Sequence, residues 1–422
     1  MRLLKFITLI LFSVVSASHA ASVSDVVTNF KKDFKAKLKE NKVPGGAYAI
    51  IHNGEIIAME GHGVRALGSN KKVTPDTVFR LASVSKTFAA GLTAQLVEDN
   101  EFSWDDKIVD YVPEFRFKTK SYSDNLTVNH ILSQSSSLVH NAYDNLIEAN
   151  YDMPRIIDKF SEIDPMCKLG QCYGYQNVLY SLIEPVIEQS TNASYTDNMH
   201  RKIFDPLEME HSSLGYESFL ETDNRAEPHL LTRKGWVKTK VKPSYYNILP
   251  AAGVNASIAD MTKWVKAQMG YYPESYSQGV IDTVTTKRVR TRKEMRKRNW
   301  RSALKNAHYG YGWRLYDLKG GAEETDLVYH GGSVAGFRSE IAYSKEKDLA
   351  LVILLNAETR MGSDLNAEFW QEVYKPEAKA KAKPKAQPRQ IAKAAPVKSK
   401  NSPGWSRTSV PRDKPKNIPA TR

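Results

Sequence analysis

Ser83 and Lys86 lie three positions apart at the start of a segment whose apolar pattern predicts a helix to about Glu98. Positions i and i+3 share one face of a helix, so the lysine amine would lie beside the serine hydroxyl. A serine becomes a nucleophile when a base takes its proton, and a lysine can do so once desolvation or nearby positive charge lowers its pKa. The start of a helix also favours negative charge on the serine oxygen. The pair therefore predicts nucleophilic catalysis at Ser83.

The Ser-x-x-Lys pattern is common, and three other pairs in the chain match it. They are Ser69 with Lys72, Ser302 with Lys305, and Ser344 with Lys347. The first lies in a polar loop, the second beside a run of cations and the third in a turn. Only Ser83 stands where an apolar segment, residues 78–82, meets a helix. This context selects Ser83.

Longer motifs surround this serine. Residues 77–88 read TVFRLASVSKTF, residues 104–106 read WDD, and residues 111–115 read YVPEF. Together they resemble the serine β-lactamase and penicillin-binding superfamily, and look like its branch of class C β-lactamases, DD-peptidases and esterases. Residues 204–209, 250–253 and 311–313 are similar to further landmarks of that family, so the resemblance runs from about residue 25 to 373.

The resemblance implies a second motif, Tyr-x-Asn. It occurs at Tyr143, at Tyr175 and at Tyr245, but only the second copy opens an apolar helix, as the family's version does. Carried over, Tyr175 is a general base or acid and Asn177 binds a substrate amide. Because a phenol has a pKa near 10, nearby cations such as Lys86 must favour the phenolate for it to act near neutral pH.

The family's third motif is Lys or His, any residue, then Gly, on a strand beside the nucleophile. His330 and Gly332 fit it, followed by Ser333. His308 has the same spacing to a glycine, but it precedes Tyr-Gly-Trp, where the family does not place this motif. The resemblance implies that the backbone N–H groups of Ser83 and Ser333 form an oxyanion hole, which is usually the largest catalytic contribution.

This third motif differs from that of class C β-lactamases, which carry Lys-Thr-Gly. Here His330 replaces a permanent cation, and Gly331 replaces a hydroxyl. Since those groups usually hold the substrate's carboxylate, efficient β-lactam turnover is not expected. Activity is expected to titrate with His330, whose unperturbed pKa is about 6.5. Residues 134–137, QSSS, also depart from the family's frequent His-Thr-Ser-Gly, and the sequence assigns that change no consequence.

Apolar patterning predicts the elements that position these residues. A helix is predicted over 25–42, capped by Ser24, and strands are predicted over 47–52 and 55–60 around an Asn-Gly turn. The later predictions are strands over 309–317, 327–330, 337–343 and 349–355, and a helix over 363–374. Strands at both ends with helices between them predict an α/β fold of the β-lactamase type. Its antiparallel sheet would be built from both chain ends, flanked by helices, with a mostly helical region inserted.

The two ends of the chain differ from its body. Residues 1–20 combine two cations, a short apolar run and small residues before Ala21, which is typical of a secretory signal peptide and too short to span a bilayer. Residues 375–422 hold 14 Lys or Arg against two acids and are rich in Pro and Ala, which predicts a disordered basic tail. We therefore expect an exported hydrolase domain, residues 21–374, located in the periplasm or secreted.

Charge and composition also restrict the partners. The net charge of +13 is concentrated in the tail, so the body is not a nucleic-acid-binding domain, and no transmembrane segment is expected. Scattered histidines predict no metal and no cofactor. The tail could contact anionic envelope polymers or be a plain extension, and residues 287–301, with nine Lys or Arg, could be a docking surface or a solvated face. In an exported protein, Cys167 and Cys172 favour a disulfide over free thiols.

The predicted function is a serine hydrolase that forms an acyl-enzyme on Ser83. Its substrates would be small molecules or peptidoglycan fragments with a D-Ala-type peptide, amide or ester bond. Two alternatives stay open. One is a class C-like β-lactamase, and the other is a slowly acylating protein that senses cell-wall fragments or penicillin without efficient turnover.

Overall fold

The structure is a computed structural model and describes residues 22–321 and 325–375. The predicted signal peptide and almost all of the predicted basic tail lie outside the described residues. The predicted hydrolase domain, residues 21–374, falls almost entirely within them.

Most of the strands lie towards the two ends of the described chain, and four short strands lie between them. In chain order they are β1 (Gly45–His52), β2 (Glu55–Gly63), β3 (Val78–Arg80), β4 (Ser213–Leu214), β5 (His229–Thr232), β6 (Gly235–Lys238), β7 (Val254–Ser257), β8 (Val289–Arg290), β9 (Leu304–Tyr309), β10 (Arg314–Leu318), β11 (Leu327–Val334), β12 (Phe337–Ser344) and β13 (Leu349–Leu355).

Within the described residues, eight of these strands form one antiparallel sheet in the order β2-β1-β13-β12-β11-β10-β9-β8. The first strand pairs with the last, with Tyr48 opposite Ile353. The sheet is thus built from both ends of the described chain, and the α/β fold predicted from the sequence is confirmed. Strands β3, β7 and β4 form a small separate sheet, and β5 and β6 form a hairpin.

Most of the described helices lie between the first and last strands, with one before the first strand and one after the last. They are α1 (Val23–Glu40), α2 (Ser85–Glu98), α3 (Ile108–Tyr111), α4 (Lys120–Ser123), α5 (Val128–Leu132), α6 (Asp144–Glu148), α7 (Met153–Asp158), α8 (Val178–Ser181), α9 (Ile183–Thr191), α10 (Tyr195–Met199), α11 (Tyr216–Glu221), α12 (Leu249–Ala252), α13 (Ile258–Gln268), α14 (Gln278–Val284) and α15 (Met361–Val373). Among the described helices, none has the length and apolarity needed to cross a bilayer.

The large sheet buries both of its faces. On one face, α1 and α15 pack through Phe34 and Trp370 against strand residues such as Tyr48. On the other face lie α2 and α13, whose Phe88 and Trp264 rings stack 4.2 Å apart. The helix α2, which carries the predicted lysine, is therefore held in the core between the sheet and the inserted helices.

The boundaries differ from the predicted ones where turn chemistry decided them. Helix α1 begins at Val23, because Ser22 rather than Ser24 caps it: the Ser22 hydroxyl accepts a hydrogen bond from the Asp25 N–H. The single strand predicted over 309–317 is instead two antiparallel strands, β9 and β10, joined by a tight turn. Strand β11 continues four residues past the predicted end, so Ser333 lies on the strand.

Candidate active site

Ser83 lies in a single 3-10 turn, Ala82–Val84, between β3 and α2. Its side chain is half-buried. Ala82, directly before it, has a φ of 49°, which a residue with a Cβ rarely adopts. Strain of this kind persists where the surrounding structure enforces it and is frequent at functional sites. The turn presents the serine at the start of a helix, as the sequence predicted.

Lys86 lies on the first turn of α2 and is fully buried. The lysines of the three competing Ser-x-x-Lys pairs are not: Lys72 and Lys305 are exposed, and Lys347 is partly exposed. Burial lowers the pKa of Lys86, and this effect outweighs the opposing influence of Tyr175 and Asp144. A buried lysine with a lowered pKa is suited to accept a proton, so the tertiary structure distinguishes Lys86 from its competitors.

A chain of hydrogen bonds fixes the lysine amine. Lys86 Nζ donates to Asn177 Oδ1 at 2.6 Å and to the Ala251 carbonyl at 3.1 Å. Asn177 Nδ2 in turn donates to Asp144 Oδ2 at 2.7 Å. The structure thus brings Asn177 beside Lys86, and one amide N–H of Asn177 remains for a substrate.

Tyr175 lies over the lysine. Lys86 Nζ is 4.8 Å from the centroid of the Tyr175 ring, and Arg314 Cζ is 5.3 Å from the same centroid. The Tyr175 hydroxyl is buried and has no hydrogen-bond partner among the described residues. The hydroxyl therefore has no partner within the described protein, and the Lys86 amine and the Arg314 guanidinium both lie near the ring that carries it.

The backbone on either side of Tyr175 is restrained, by Gln134 after it and by a disulfide before it. Gln134 Oε1 accepts from the Gln176 N–H at 2.6 Å, and Gln134 Nε2 donates to the Gln176 carbonyl at 3.0 Å. Cys167 and Cys172 form a disulfide in the preceding loop, as predicted. Gln134 stands where the family often has histidine, and the sequence assigned this difference no consequence. In the structure Gln134 holds the backbone next to Tyr175 through two hydrogen bonds.

Strand β11 lies directly against the turn that carries Ser83. Ser339 Oγ, on the neighbouring strand β12, donates to the Leu81 carbonyl at 2.6 Å. A Cβ at Gly332 would lie 2.1 Å from that carbonyl oxygen, so only glycine allows this approach. Ser333 follows and is exposed. The predicted third motif thus borders the Ser83 turn, with Ser333 at the cleft surface.

Residues 30–374 match the family model described as Beta-lactamase. The chain belongs to the beta-lactamase family. This confirms the family predicted from the motifs around Ser83.

Relatives and a solved structure agree with this assignment. The chain is 23% identical over 342 residues to "Protein flp" of Staphylococcus aureus (strain N315), covering 79% of this chain and 64% of the relative. It is 25% identical over 300 residues to "Penicillin-binding protein 4" of Amycolatopsis lactamdurans, covering 69% and 76%. The octameric penicillin-binding protein homologue from Pyrococcus abyssi has the same fold, with a TM-score of 0.72 at 24% identity over 83% of this chain and 78% of that one. Because the chain spans less than two thirds of the flp relative, the activity, substrates and partners of the whole protein are proposals.

Within this beta-lactamase fold, His330 corrects an expectation from the sequence. Its side chain is fully buried, with Nε2 3.2 Å from the Tyr309 hydroxyl and Nδ1 3.0 Å from the Gly331 carbonyl oxygen. Burial, reinforced by Arg314 and Lys86, lowers the pKa of His330 well below its ordinary value. The imidazole is therefore neutral near neutral pH, and it neither replaces the family's lysine as a cation nor reaches a substrate directly.

We therefore expect no titration of His330 in the pH–rate profile. The His330→Gln variant, which keeps a neutral polar side chain, should show a profile of the same shape as wild type between about pH 5.5 and 8.5. The measurement is kcat/KM for an ester substrate across that range. A wild-type inflection near pH 6.5 that disappears in His330→Gln would contradict the burial argument.

Arg314 supplies the permanent cation that the third motif lacks. It lies on β10, opposite Tyr329 in the register, so it occupies the strand next to the motif. Its Nε is 3.3 Å from Glu294 Oε1, and Lys297 also pairs with Glu294. Burial alone would lower the pKa of Arg314, but Glu294 and nearby tyrosines hold it well above its ordinary value. A permanent positive charge is thus present on β10, the strand next to the one that carries the third motif.

Gly331 leaves no room for the hydroxyl residue of the class C motif. A Cβ there would lie 2.7 Å from the Tyr329 hydroxyl and 3.0 Å from Glu340 Oε2. Those two side chains share a hydrogen bond of 2.7 Å, so neither can move aside without losing its buried partner. A threonine at 331 therefore requires further changes around it.

Sequence reasoning missed Asp144, Arg314 and the surroundings of Tyr245. Asp144 lies inside the rejected Tyr143 motif and holds Asn177, while Tyr245, from the other rejected motif, donates to Glu148 Oε1 at 3.2 Å. The signal for Arg314 was its place directly after the 311–313 landmark, but without the turn between β9 and β10 its direction was unknown. Among the described residues no cluster of three or more His, Cys, Asp or Glu could hold a metal ion.

Proposed function

We propose that this beta-lactamase-family protein is a serine hydrolase that forms an acyl-enzyme on Ser83. The observation that carries the proposal is the fully buried Lys86, one helical turn from Ser83, with its amine fixed by Asn177 and facing the Tyr175 ring. A serine, a base with a lowered pKa and a second proton carrier are the parts that nucleophilic acyl transfer requires.

The chemistry follows from these positions. The Ser83 oxygen attacks the substrate carbonyl carbon while its proton passes to Lys86 or Tyr175. The tetrahedral oxyanion would be held by the N–H groups of Ser83 and Ser333. Its collapse breaks the bond to the leaving group, which takes up the proton, and water then releases the acyl group by the same steps. Asn177 orients the substrate, and Arg314 places positive charge near the Tyr175 ring.

The proposed substrates are small molecules or peptidoglycan fragments with a D-Ala-type peptide, amide or ester bond. The crowding at Gly331 and the neutral His330 count against β-lactams, because neither residue offers the charged and hydroxyl groups with which the class C motif holds a carboxylate. Within the proposed class, the same argument favours amides and esters whose leaving group carries no carboxylate. On the pattern of residues 1–20 we further propose that the protein acts outside the cytoplasm.

The test is a time course with a fluorescent penicillin on the purified protein, with Ser83→Ala as control. Labelling of wild type that is lost in Ser83→Ala is the expected result if penicillin enters the site. Hydrolysis of p-nitrophenyl esters and D-alanyl amides is measured in parallel, because these substrates report activity even if the site excludes penicillin.

The outcomes separate the candidate functions. Stable labelling with ester or amide turnover supports the proposed hydrolase, whereas rapid loss of label with drug hydrolysis indicates a β-lactamase. A burst of labelling without turnover of any substrate indicates the acylating sensor. The absence of any reaction at Ser83 would contradict the proposal.

A further inference from the structure

A cavity of about 360 Å³ opens beside Ser333. Its lining includes Arg80, Lys242, Tyr245 and Glu148. Ser333 lies on the strand that approaches the Ser83 turn, and Arg80 lies three residues before Ser83 on β3. The cavity thus shares Ser333 with the proposed catalytic site and is large enough for a small acyl group.

Arg80 is the unusual residue of this cavity. It is 3% exposed, its guanidinium stacks 3.8 Å from the centroid of the Tyr246 ring, and its Nη1 donates to the Lys242 carbonyl at 3.1 Å. Its Nε and Nη2 atoms are buried and have no hydrogen-bond partner in the described part of the chain. A buried cation whose donors are unused costs free energy that a ligand can recover.

The two Arg80 nitrogens without a partner indicate which chemical group would bind there. The N–H groups on Nε and Nη2 lie along one edge of the guanidinium, and that edge matches the two oxygens of a carboxylate. Because the Arg80 guanidinium is buried, a hydrogen bond formed with it would be stronger than one at the surface.

The charges around Arg80 also favour an anionic ligand. Lys242 is exposed at the cavity, and neither it nor Arg80 has an ion pair within residues 22–321 and 325–375. Of the two acids in the lining, Glu358 is paired with Arg338 at 3.0 Å, and Glu148 accepts the hydrogen bond from Tyr245. The positive charge of the cavity is therefore less compensated than its negative charge.

We propose that this cavity binds a carboxylate on the acyl part of the substrate, through Arg80 and Lys242. The inference rests on the proposed function for the direction of the substrate, since the acyl group would extend from Ser83 past Ser333. It adds a substrate class: acyl donors that carry a free carboxylate several bonds from the reacting carbonyl.

The first experiment compares two substrates that differ only in charge. They are the p-nitrophenyl half ester of adipic acid and the matching ester of its ω-carboxamide, measured at fixed ionic strength with background hydrolysis subtracted. We expect kcat/KM to favour the carboxylate by about tenfold, as one charge-assisted contact would give. Lys242→Met and Arg80→Met should each reduce this preference, and Arg80→Lys should restore only part of it because the fork is lost.

Lys240→Met is the matched control, because Lys240 is an exposed lysine two residues from Lys242 and does not line the cavity. It should keep the wild-type preference. Thermal unfolding of each variant checks folding, and since Lys242 is exposed, its variant remains informative if Arg80→Met fails to fold.

The second experiment needs no catalysis. In the Ser83→Ala variant, ligand-observed NMR measures the binding of adipamate and of the uncharged adipamide. Tighter binding of adipamate that is lost with Lys242→Met supports the subsite even if wild type hydrolyses neither ester, in which case only the proposed function fails. Equal binding of both probes, or a substrate preference that survives in Lys242→Met and Arg80→Met, overturns the subsite and leaves the hydrolase proposal standing.

Discussion

Replacing Lys86 with methionine is expected to lower kcat/KM for acylation by roughly 10²–10⁴-fold, the usual contribution of a positioned general base. Methionine fills a similar volume, so the packing of α2 should be preserved while the amine is lost. The amine that is lost is the one held in place by Asn177 and Ala251. The measurement is single-turnover acylation with an ester or with a fluorescent penicillin.

The same variant should be at least as stable as wild type. Because burial lowers the pKa of Lys86, the folded protein binds a proton there less readily than the unfolded chain. The wild-type protein is thus penalised below the ordinary lysine pKa of 10.5, and its stability rises with pH in the window between the lowered pKa and that value. Lys86→Met removes this dependence. The wild-type rate should also rise as Lys86 loses its proton, at a pH below the ordinary lysine value.

The control for Lys86 is Lys305→Met, which removes the exposed lysine of another Ser-x-x-Lys pair. It should retain wild-type kinetics. If Lys86→Met acylated at a rate near that of wild type, Lys86 would not be the base. A loss of rate that merely followed a lower Tm would indicate a structural role.

Replacing Arg314 with methionine is expected to lower kcat by roughly 10- to 1,000-fold with a smaller change in KM, because its charge acts on Tyr175 and not on bound substrate. Stability should also fall, but by less than the roughly 3–5 kcal/mol of a buried charge left wholly unpaired, since Glu294 loses its arginine and keeps Lys297. The measurements are steady-state kinetics and denaturant unfolding.

Three further variants separate charge from packing at Arg314. Arg314→Lys should recover much of kcat, because it retains a cation near Tyr175. Adding Glu294→Gln to Arg314→Met should recover stability but not kcat. Adding His330→Lys to Arg314→Met should recover part of kcat, because it places the cation on the strand where the family usually has it. If kcat followed Tm across the whole series, the electrostatic role would be wrong.

The sequence predicted the sheet and the nucleophile because both depend on local signals. Alternating and continuous apolar runs marked the strands at each end of the chain, and their pairing follows because strands that bury both faces need neighbours on each side. The motif around Ser83 was recognisable because a strand, a turn and a helix follow each other without a gap. Tyr175 was selected over Tyr143 and Tyr245 by the apolar helix that follows it.

What the sequence could not predict depends on residues that meet only through the fold. Nothing near His330 in the chain indicates that it is buried near Arg314, Lys86 and Tyr309, so the sequence could not show that burial lowers its pKa. The role of Gln134 needed the contact with Gln176, 42 residues away.

The sequence by itself determined the family, the α/β architecture and the order of the chemically competent residues, since these follow from local patterns and contiguous motifs. Tertiary structure alone decided which groups are charged and which are unpaired. Burial lowers the pKa of Lys86 and His330, strand register places Arg314 beside the third motif, and the fold brings Arg80 and Ser333 to the lining of one cavity. Desolvation and charge–charge distances depend on where residues lie in three dimensions, so they cannot be predicted from the order of residues in the chain.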